Sequence, residues 1–143
     1  MEKRSIRIAL MWVRFPPGPF MDSKKLGRFG EKIARDYLKE KGYKILARNF
    51  KRKWGEIDIV AKKRRNIVFI EVKTIHQKEG FYPEDQIDWR KKRQLIKMAQ
   101  IYLQEFKISL NSPWQIDIIA IEVSLNSQRV KIKHYKNAIE DIY

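Results

Sequence analysis

Cysteine is absent from all 143 residues, and there are only two histidines, His76 and His134. No disulfide scaffold, thiol nucleophile or Cys-type zinc site can be built, and two imidazoles are too few for a histidine-rich metal centre. Any bound metal must sit mainly on oxygen. No apolar run approaches the roughly 20 residues a membrane span requires, so no membrane partner is expected. Acidic residues are scarce as well: 17 Asp and Glu face 32 Lys and Arg, a formal charge of +15. That excess draws polyanions, nucleic acid before lipid, or else merely keeps the surface soluble. With 43% hydrophobic and 12% aromatic residues the chain has material for a core, and its length suits one domain.

Residues 1–20 do not match the rest. The segment carries Glu2 against Lys3, Arg4, Arg7 and Arg14 and breaks at Pro16-Pro17-Gly18-Pro19; no stable element is expected there. Arg7 interrupts its apolar stretch and no small-x-small cleavage site follows, which argues against a signal peptide and for a cytoplasmic location. Val13 to Pro19 also reads as a translation of the T-arm and 3′ end of a transfer-RNA gene. The expectation is a non-native or disordered extension, with Met21 as the natural start and residues 21–143 as a single domain. Starting at Met21 leaves 28 basic and 16 acidic residues, still +12.

Within that domain, Asp22 or Ser23 caps a helix running to about Glu40, with Leu26, Phe29, Ile33 and Tyr37 on one stripe. Strands are predicted over Tyr43–Phe50, Glu56–Lys62 and Asn66–Thr74, followed by a loop from His76 to Asp85. A second helix from Ile87 to about Lys107 buries Leu95, Met98, Ala99, Tyr102 and Phe106. Trp114–Val123 and Arg129–Tyr135 add two strands. The order is α-β-β-β-α-β-β, one α/β sheet with helices packed against it.

The chemistry concentrates on one hairpin. If Glu56–Ala61 and Val68–Lys73 pair antiparallel about a tight turn at Arg64-Arg65, Asp58 lies beside Glu71 and Glu56 beside Lys73. Alternation then puts Glu56, Asp58, Glu71 and Lys73 on one face, with Ile57, Ile59, Ala61, Val68, Ile70 and Val72 forming an apolar face behind. Two opposed carboxylates about 5 Å apart repel by roughly 3 kcal/mol at an effective dielectric near 20. A shared proton or a divalent cation relieves this, and carboxylate oxygens suit Mg²⁺ or Mn²⁺. Lys73 is then placed to orient or deprotonate a water, which makes a phosphodiester hydrolase site. The competing reading is a solvated hairpin face with Glu56 and Lys73 as a weak surface pair. Glu31, at the shoulder of the first helix's apolar stripe, is either a third site carboxylate or compensation of the helix dipole.

Gly27-x-x-Gly30-Glu31-x-x-Ala34, Gly42-Tyr43-x-Ile45-Leu46-x-Arg48-Asn49-Phe50, Gly55-Glu56-Ile57-Asp58-Ile59-Val60 and Val68-Phe69-Ile70-Glu71-Val72-Lys73 together resemble the bacterial YraN-type family of endonuclease-like proteins. The match spans roughly Leu26 to Val123. That family is similar to the PD-(D/E)xK nuclease superfamily and its archaeal Holliday-junction resolvases. The resemblance implies a restriction-endonuclease-like three-layer α/β/α core with a mixed central sheet. It further implies a catalytic signature at Asp58, Glu71 and Lys73, a helix carboxylate at Glu31, and a homodimer. Ile75 and Gln115 stand where such proteins commonly carry Arg.

On the second helix Arg90, Arg93 and Lys97 share a face with Gln94, Gln100 and Gln104, either a phosphate-tracking surface or a solvated exterior. Lys91 points toward the packed side, reaching the site edge or snorkelling. Lys51, Arg52 and Lys53 beside Trp54, and the run Lys62–Arg65, are candidate backbone clamps. No function is assigned to Trp12, Trp54, Trp89 or Trp114, and Asp117 reads as a hydrogen-bonded structural acid before a group touching the metal region. The sequence thus points to a Mg²⁺- or Mn²⁺-dependent endonuclease-like protein acting on nucleic acid, DNA before RNA. The alternatives are a non-catalytic nucleic-acid-binding module on the same fold, or a basic protein-interaction factor.

Overall fold

The computed structural model describes residues 5–13, 22–76, 87–124 and 129–139. The expected loop between His76 and Asp85 falls almost wholly outside them. The described elements run β1 (Ser5–Trp12), α1 (Ser23–Glu40), β2 (Lys44–Arg52), β3 (Gly55–Lys63), β4 (Asn66–His76), α2 (Trp89–Glu105), β5 (Trp114–Val123) and β6 (Arg129–Lys136). From α1 onward this is the order read from the sequence. The six strands form one mixed sheet, ordered β1-β6-β5-β4-β3-β2. Only β4 and β5 are parallel, as expected of two strands joined through a crossover helix.

The central strands are buried on both faces, which is why they are apolar at consecutive positions. On one face α1 packs Leu26, Ile33, Ala34, Tyr37 and Leu38 against Ile59, Ala61, Val68, Ile70, Ile119 and Ile121. On the other, α2 packs Leu95, Met98, Ala99, Tyr102 and Leu103 against Ile57, Val60, Phe69 and Ile116. The result is a three-layer α/β/α arrangement. Both helices begin on an acidic cap: Asp22 Oδ1 accepts from Lys25 N at 2.8 Å and Asp88 Oδ1 from Lys91 N at 2.9 Å.

A buried polar relay ties α1 to the sheet. Asp117 accepts hydrogen bonds from Gln115 Nε2 (2.7 Å) and the Asn137 backbone N–H (2.8 Å), and pairs with His134 Nε2 at 2.7 Å. His134 Nδ1 in turn lies 3.0 Å from the Tyr37 hydroxyl. Asp117 is therefore the structural acid expected. Gln115 also accepts from Asn66 Nδ2 at 2.6 Å, so it bridges β4 and Asp117.

Two expectations are corrected. Residues 5–12 do form an element: β1 pairs with β6 from Ser5↔Lys136 to Trp12↔Arg129. Its period-two pattern turns Ala9 and Met11 toward the α1-side core and leaves Ile6, Ile8, Leu10 and Trp12 exposed, an alternation that the flanking charges and prolines masked. Phe106, expected inside, is 55% exposed. It follows the last turn of α2 and stacks on Tyr102 from outside, with ring centroids 4.4 Å apart.

Candidate active site

The β3–β4 hairpin has the register read from the sequence, from Lys63↔Asn66 through Ile59↔Ile70. The pairing stops there, one step short of Asp58 and Glu71, so neither Asp58 nor Glu56 has the ladder partner expected. Beyond Ile59, β3 stays with β2, through Phe50↔Ile57 and Lys51↔Glu56. Asp58 Oδ2 accepts from the Val72 backbone N–H at 2.8 Å, so a side chain takes over where the strand pairing ends. The single apolar face expected behind the hairpin is corrected as well. Ile57 joins the α2-side cluster, whereas Ile59, Ala61, Val68, Ile70 and Val72 belong to the α1 side.

The reason lies in the neighbouring strand. Asn49 sits between the pairs Arg48↔Ile59 and Phe50↔Ile57, opposite Asp58, with a φ of 50°. Asn tolerates this left-handed geometry better than any other residue except Gly. At this step the sheet changes face: Phe50 and Ile57 join the α2-side cluster, whereas Ile59 joins the α1-side one. Replacing the exposed Asn49 by Val is expected to cost roughly 1–2 kcal/mol in chemical denaturation, because a β-branched residue resists positive φ. Asn49→Gly should be close to neutral, and equal losses in the two variants would show that the backbone angle is not the cause.

Burial, then the charge of Glu71, pushes the Asp58 carboxyl up to about 8. Glu71 is also raised by burial, opposed by Lys91 and then Lys73. Lys91 reaches across from α2, its Nζ 3.4 Å from Glu71 Oε1, while Glu71 Oε2 is buried with no hydrogen-bond partner. Glu31 arrives from α1, raised by burial and then by Glu56, with the neighbouring Asp58 carboxyl acting to lower it. The fold thus gathers Glu31, Glu56, Asp58, Glu71, Lys73 and Lys91 where β3 and β4 part. Of the two readings of Lys91, contact with the site is the one observed.

The arrangement suits a hard divalent cation in its chemistry. Glu71 offers a buried carboxylate oxygen without a partner, Asp58 resists ionising without a counter-charge, and the donors are oxygens. Among the described residues, however, no three His, Cys, Asp or Glu side chains are grouped closely enough to hold an ion as they stand.

The basic candidates fall into different surroundings. Arg93 and Lys97 line a groove with Gln94 and Gln100 on the outer side of α2, and Arg90 is exposed at its start. Arg52 is taken up by Glu105, with Nε to Oε1 at 2.7 Å and Nη2 to Oε2 at 2.5 Å, which fastens β2 to α2. Lys51 lies 3.9 Å from Glu56, and Lys53 sits over the Trp54 ring.

A model of the uncharacterised protein family UPF0102 matches residues 30–121, from Gly30 beside the helix carboxylate to Ile121 within β5. The chain belongs to this family. It is 41% identical over 121 residues to a UPF0102 protein of Caldanaerobacter subterraneus subsp. tengcongensis, covering 82% of this chain and 97% of the relative. With a UPF0102 protein of Roseiflexus castenholzii the identity is 37% over 117 residues, 82% of this chain and 94% of the relative. The YraN-type resemblance read from the motifs therefore holds. A solved structure of Pyrococcus furiosus SfsA in complex with Ca²⁺ overlaps with a TM-score of 0.39 at 17% identity, covering 84% of this chain and 66% of that one, just under two thirds of its length. That overlap is too loose to carry function from one protein to the other. No helix among the described residues is long and apolar enough to cross a membrane.

Proposed function

We propose that this UPF0102 protein is a Mg²⁺- or Mn²⁺-dependent endonuclease that hydrolyses phosphodiesters in nucleic acid, DNA before RNA, with branched or otherwise structured DNA as substrate and a homodimer as the working form. The observation that carries the reading is the convergence of Asp58 and Glu71, both raised by burial, with Glu31 and two lysines at one opening in the sheet. A surface hairpin face would bury neither acid. Asp58 and Glu71 would hold the cation, with Glu31 beside Asp58 as a direct or water-mediated further ligand. Bound there, the cation supplies Lewis-acid polarisation of the scissile phosphate and makes water easier to deprotonate.

The chain's own groups do the rest. Lys73, two residues beyond Glu71 on β4, orients the attacking water and offsets charge developing on the phosphoryl oxygens. Lys91 holds Glu71 in place through Oε1 and leaves Oε2 for the cation. Arg93, Lys97 and the exposed Arg90 provide donors for the backbone.

The test is incubation of the protein with branched, single-stranded and duplex DNA and with RNA, in Mg²⁺ or Mn²⁺, beside Asp58→Ala and Lys73→Ala. Metal-dependent cleavage that both substitutions abolish is the expected result. Nucleic-acid binding that survives both, with no cleavage of any substrate by the parent, would replace the enzyme with a binding module.

A further inference from the structure

Two of the four tryptophans face solvent beside the basic side of α2. Trp54, in the β2–β3 turn, is 45% exposed and Trp89, the first residue of α2, is 59% exposed. Together with Arg93, Gln94 and Lys97 they line a groove of about 670 Å³. Each ring already lies near a cation: Lys97 Nζ is 4.7 Å from the Trp54 centroid and Arg93 Cζ 5.5 Å from that of Trp89. The groove is also pre-organised. Gln94 Nε2 donates to the Trp54 carbonyl at 2.6 Å, pinning the turn to the helix. Gly55 follows with a φ of 151°, and a Cβ there would come within 2.6 Å of the same Gln94 nitrogen.

We infer that the groove between Trp54 and Trp89 binds unpaired nucleotides, stacking their bases on the indoles while Arg93 and Lys97 hold the phosphates. Aromatic platforms interleaved with Arg and Lys are what single strands require, because every base offers a π-face and every linkage a negative charge. A closed duplex hides its base faces and would gain only the electrostatic part. Trp54 precedes Asp58 by four residues of β3, roughly 13 Å of extended chain. The groove therefore lies within that reach of Asp58, and a strand seated on the tryptophans can extend to the carboxylates. This rests on the endonuclease reading and narrows it: the substrate carries a single-stranded segment next to the bond that is cut.

The test is fluorescence anisotropy of a dye-labelled oligothymidylate about ten nucleotides long, within the usual site sizes for single-strand binders, titrated with protein. Blunt duplex is titrated in parallel, both in chelator so that no cleavage occurs. The proteins are the parent, Trp54→Ala, Trp89→Ala, the double variant and the double Trp→Phe variant. The expected result is single-strand binding by the parent that each single Ala variant weakens, affinity roughly 10–1,000-fold lower in the double Ala variant, and duplex affinity changed less than about threefold. The Phe variant keeps ring faces and should recover most of the loss, which separates stacking from misfolding. Parent-like single-strand affinity in the double Ala variant, equal losses on both ligands, or no single-strand binding by the parent would each overturn the inference. Tryptophan-dependent binding with no cleavage of any substrate would retain the groove and remove the nuclease. Cleavage with no tryptophan dependence would do the reverse.

Discussion

Asp58→Asn is expected to abolish metal-dependent cleavage while raising the melting temperature of the metal-free protein at pH 8. The two effects have one source. The Asp58 carboxyl moves from an ordinary value of 3.8 to about 8, first through burial and then through Glu71. Between those values the folded protein holds a proton that the unfolded chain has released, so stability is lost as pH climbs from about 4 to about 8. One titrating group changes stability by at most about 1.4 kcal/mol per pH unit, and local relaxation should leave roughly 2 kcal/mol in all. Asparagine does not titrate, its carbonyl still accepts from the Val72 N–H, and its amide can donate to Glu31, so the cost disappears. The melting temperature at pH 8 should rise by roughly 4–8 °C, with little change near pH 4. Cleavage should fall by more than about 100-fold, since disturbing even the groups behind a metal ligand costs 10–100-fold. Added Mg²⁺ or Mn²⁺ should stabilise the parent at pH 8 and leave the variant nearly unmoved. A variant that melts lower than the parent at pH 8 would mean that Asp58 carries no buried-charge penalty, and with that the reason for a cation at the site would go.

Some of this site could be read along the chain because it depends on local rules. Asp22 marks the start of α1, alternation marks the strands, and the turn at Arg64-Arg65 fixes the β3–β4 register. Asp58, Glu71 and Lys73 follow from those signals, and Lys91 from its position on the inner side of α2. The remainder depends on contacts between elements. The strands part at Asp58, opposite the left-handed Asn49 on β2, and no periodicity in β3 reports an angle in β2. Trp54 and Trp89 form a groove because Gln94 holds the turn against the helix. The spacing Trp89, Arg93, Lys97, one helical turn per step, was the available hint. β1 stayed hidden because strand pairing with the distant β6, rather than local propensity, decides its state.

Glu31 owes its place to the residue before it, and Gly30→Ala should show this by behaving oppositely to Gly27→Ala on the same helix. A Cβ at position 30 would overlap Thr74 Oγ1 and lie 2.7 Å from the Thr74 Cβ and Cγ2, whereas one at position 27 meets nothing within 4 Å. Alanine is worth up to about 1 kcal/mol over glycine in a helix interior, so Gly27→Ala should stabilise by roughly 0.5–1 kcal/mol. At position 30 the same gain is outweighed by overpacking of about 3 kcal/mol, a net loss near 2 kcal/mol. Relief of the clash requires α1 to lift from β4, which carries Glu31 away from Asp58, so cleavage should fall further than stability alone predicts. Thr74→Ala offers a partial rescue, because it removes Oγ1 and Cγ2 but leaves Cβ. It also gives up no hydrogen bond, since the Thr74 hydroxyl is buried without a partner. Combined with Gly30→Ala it should recover about half of the loss, a coupling that a double-mutant cycle reads directly. Simple additivity of the two substitutions would place the cost elsewhere than at this contact and detach Glu31 from the close approach of helix to strand.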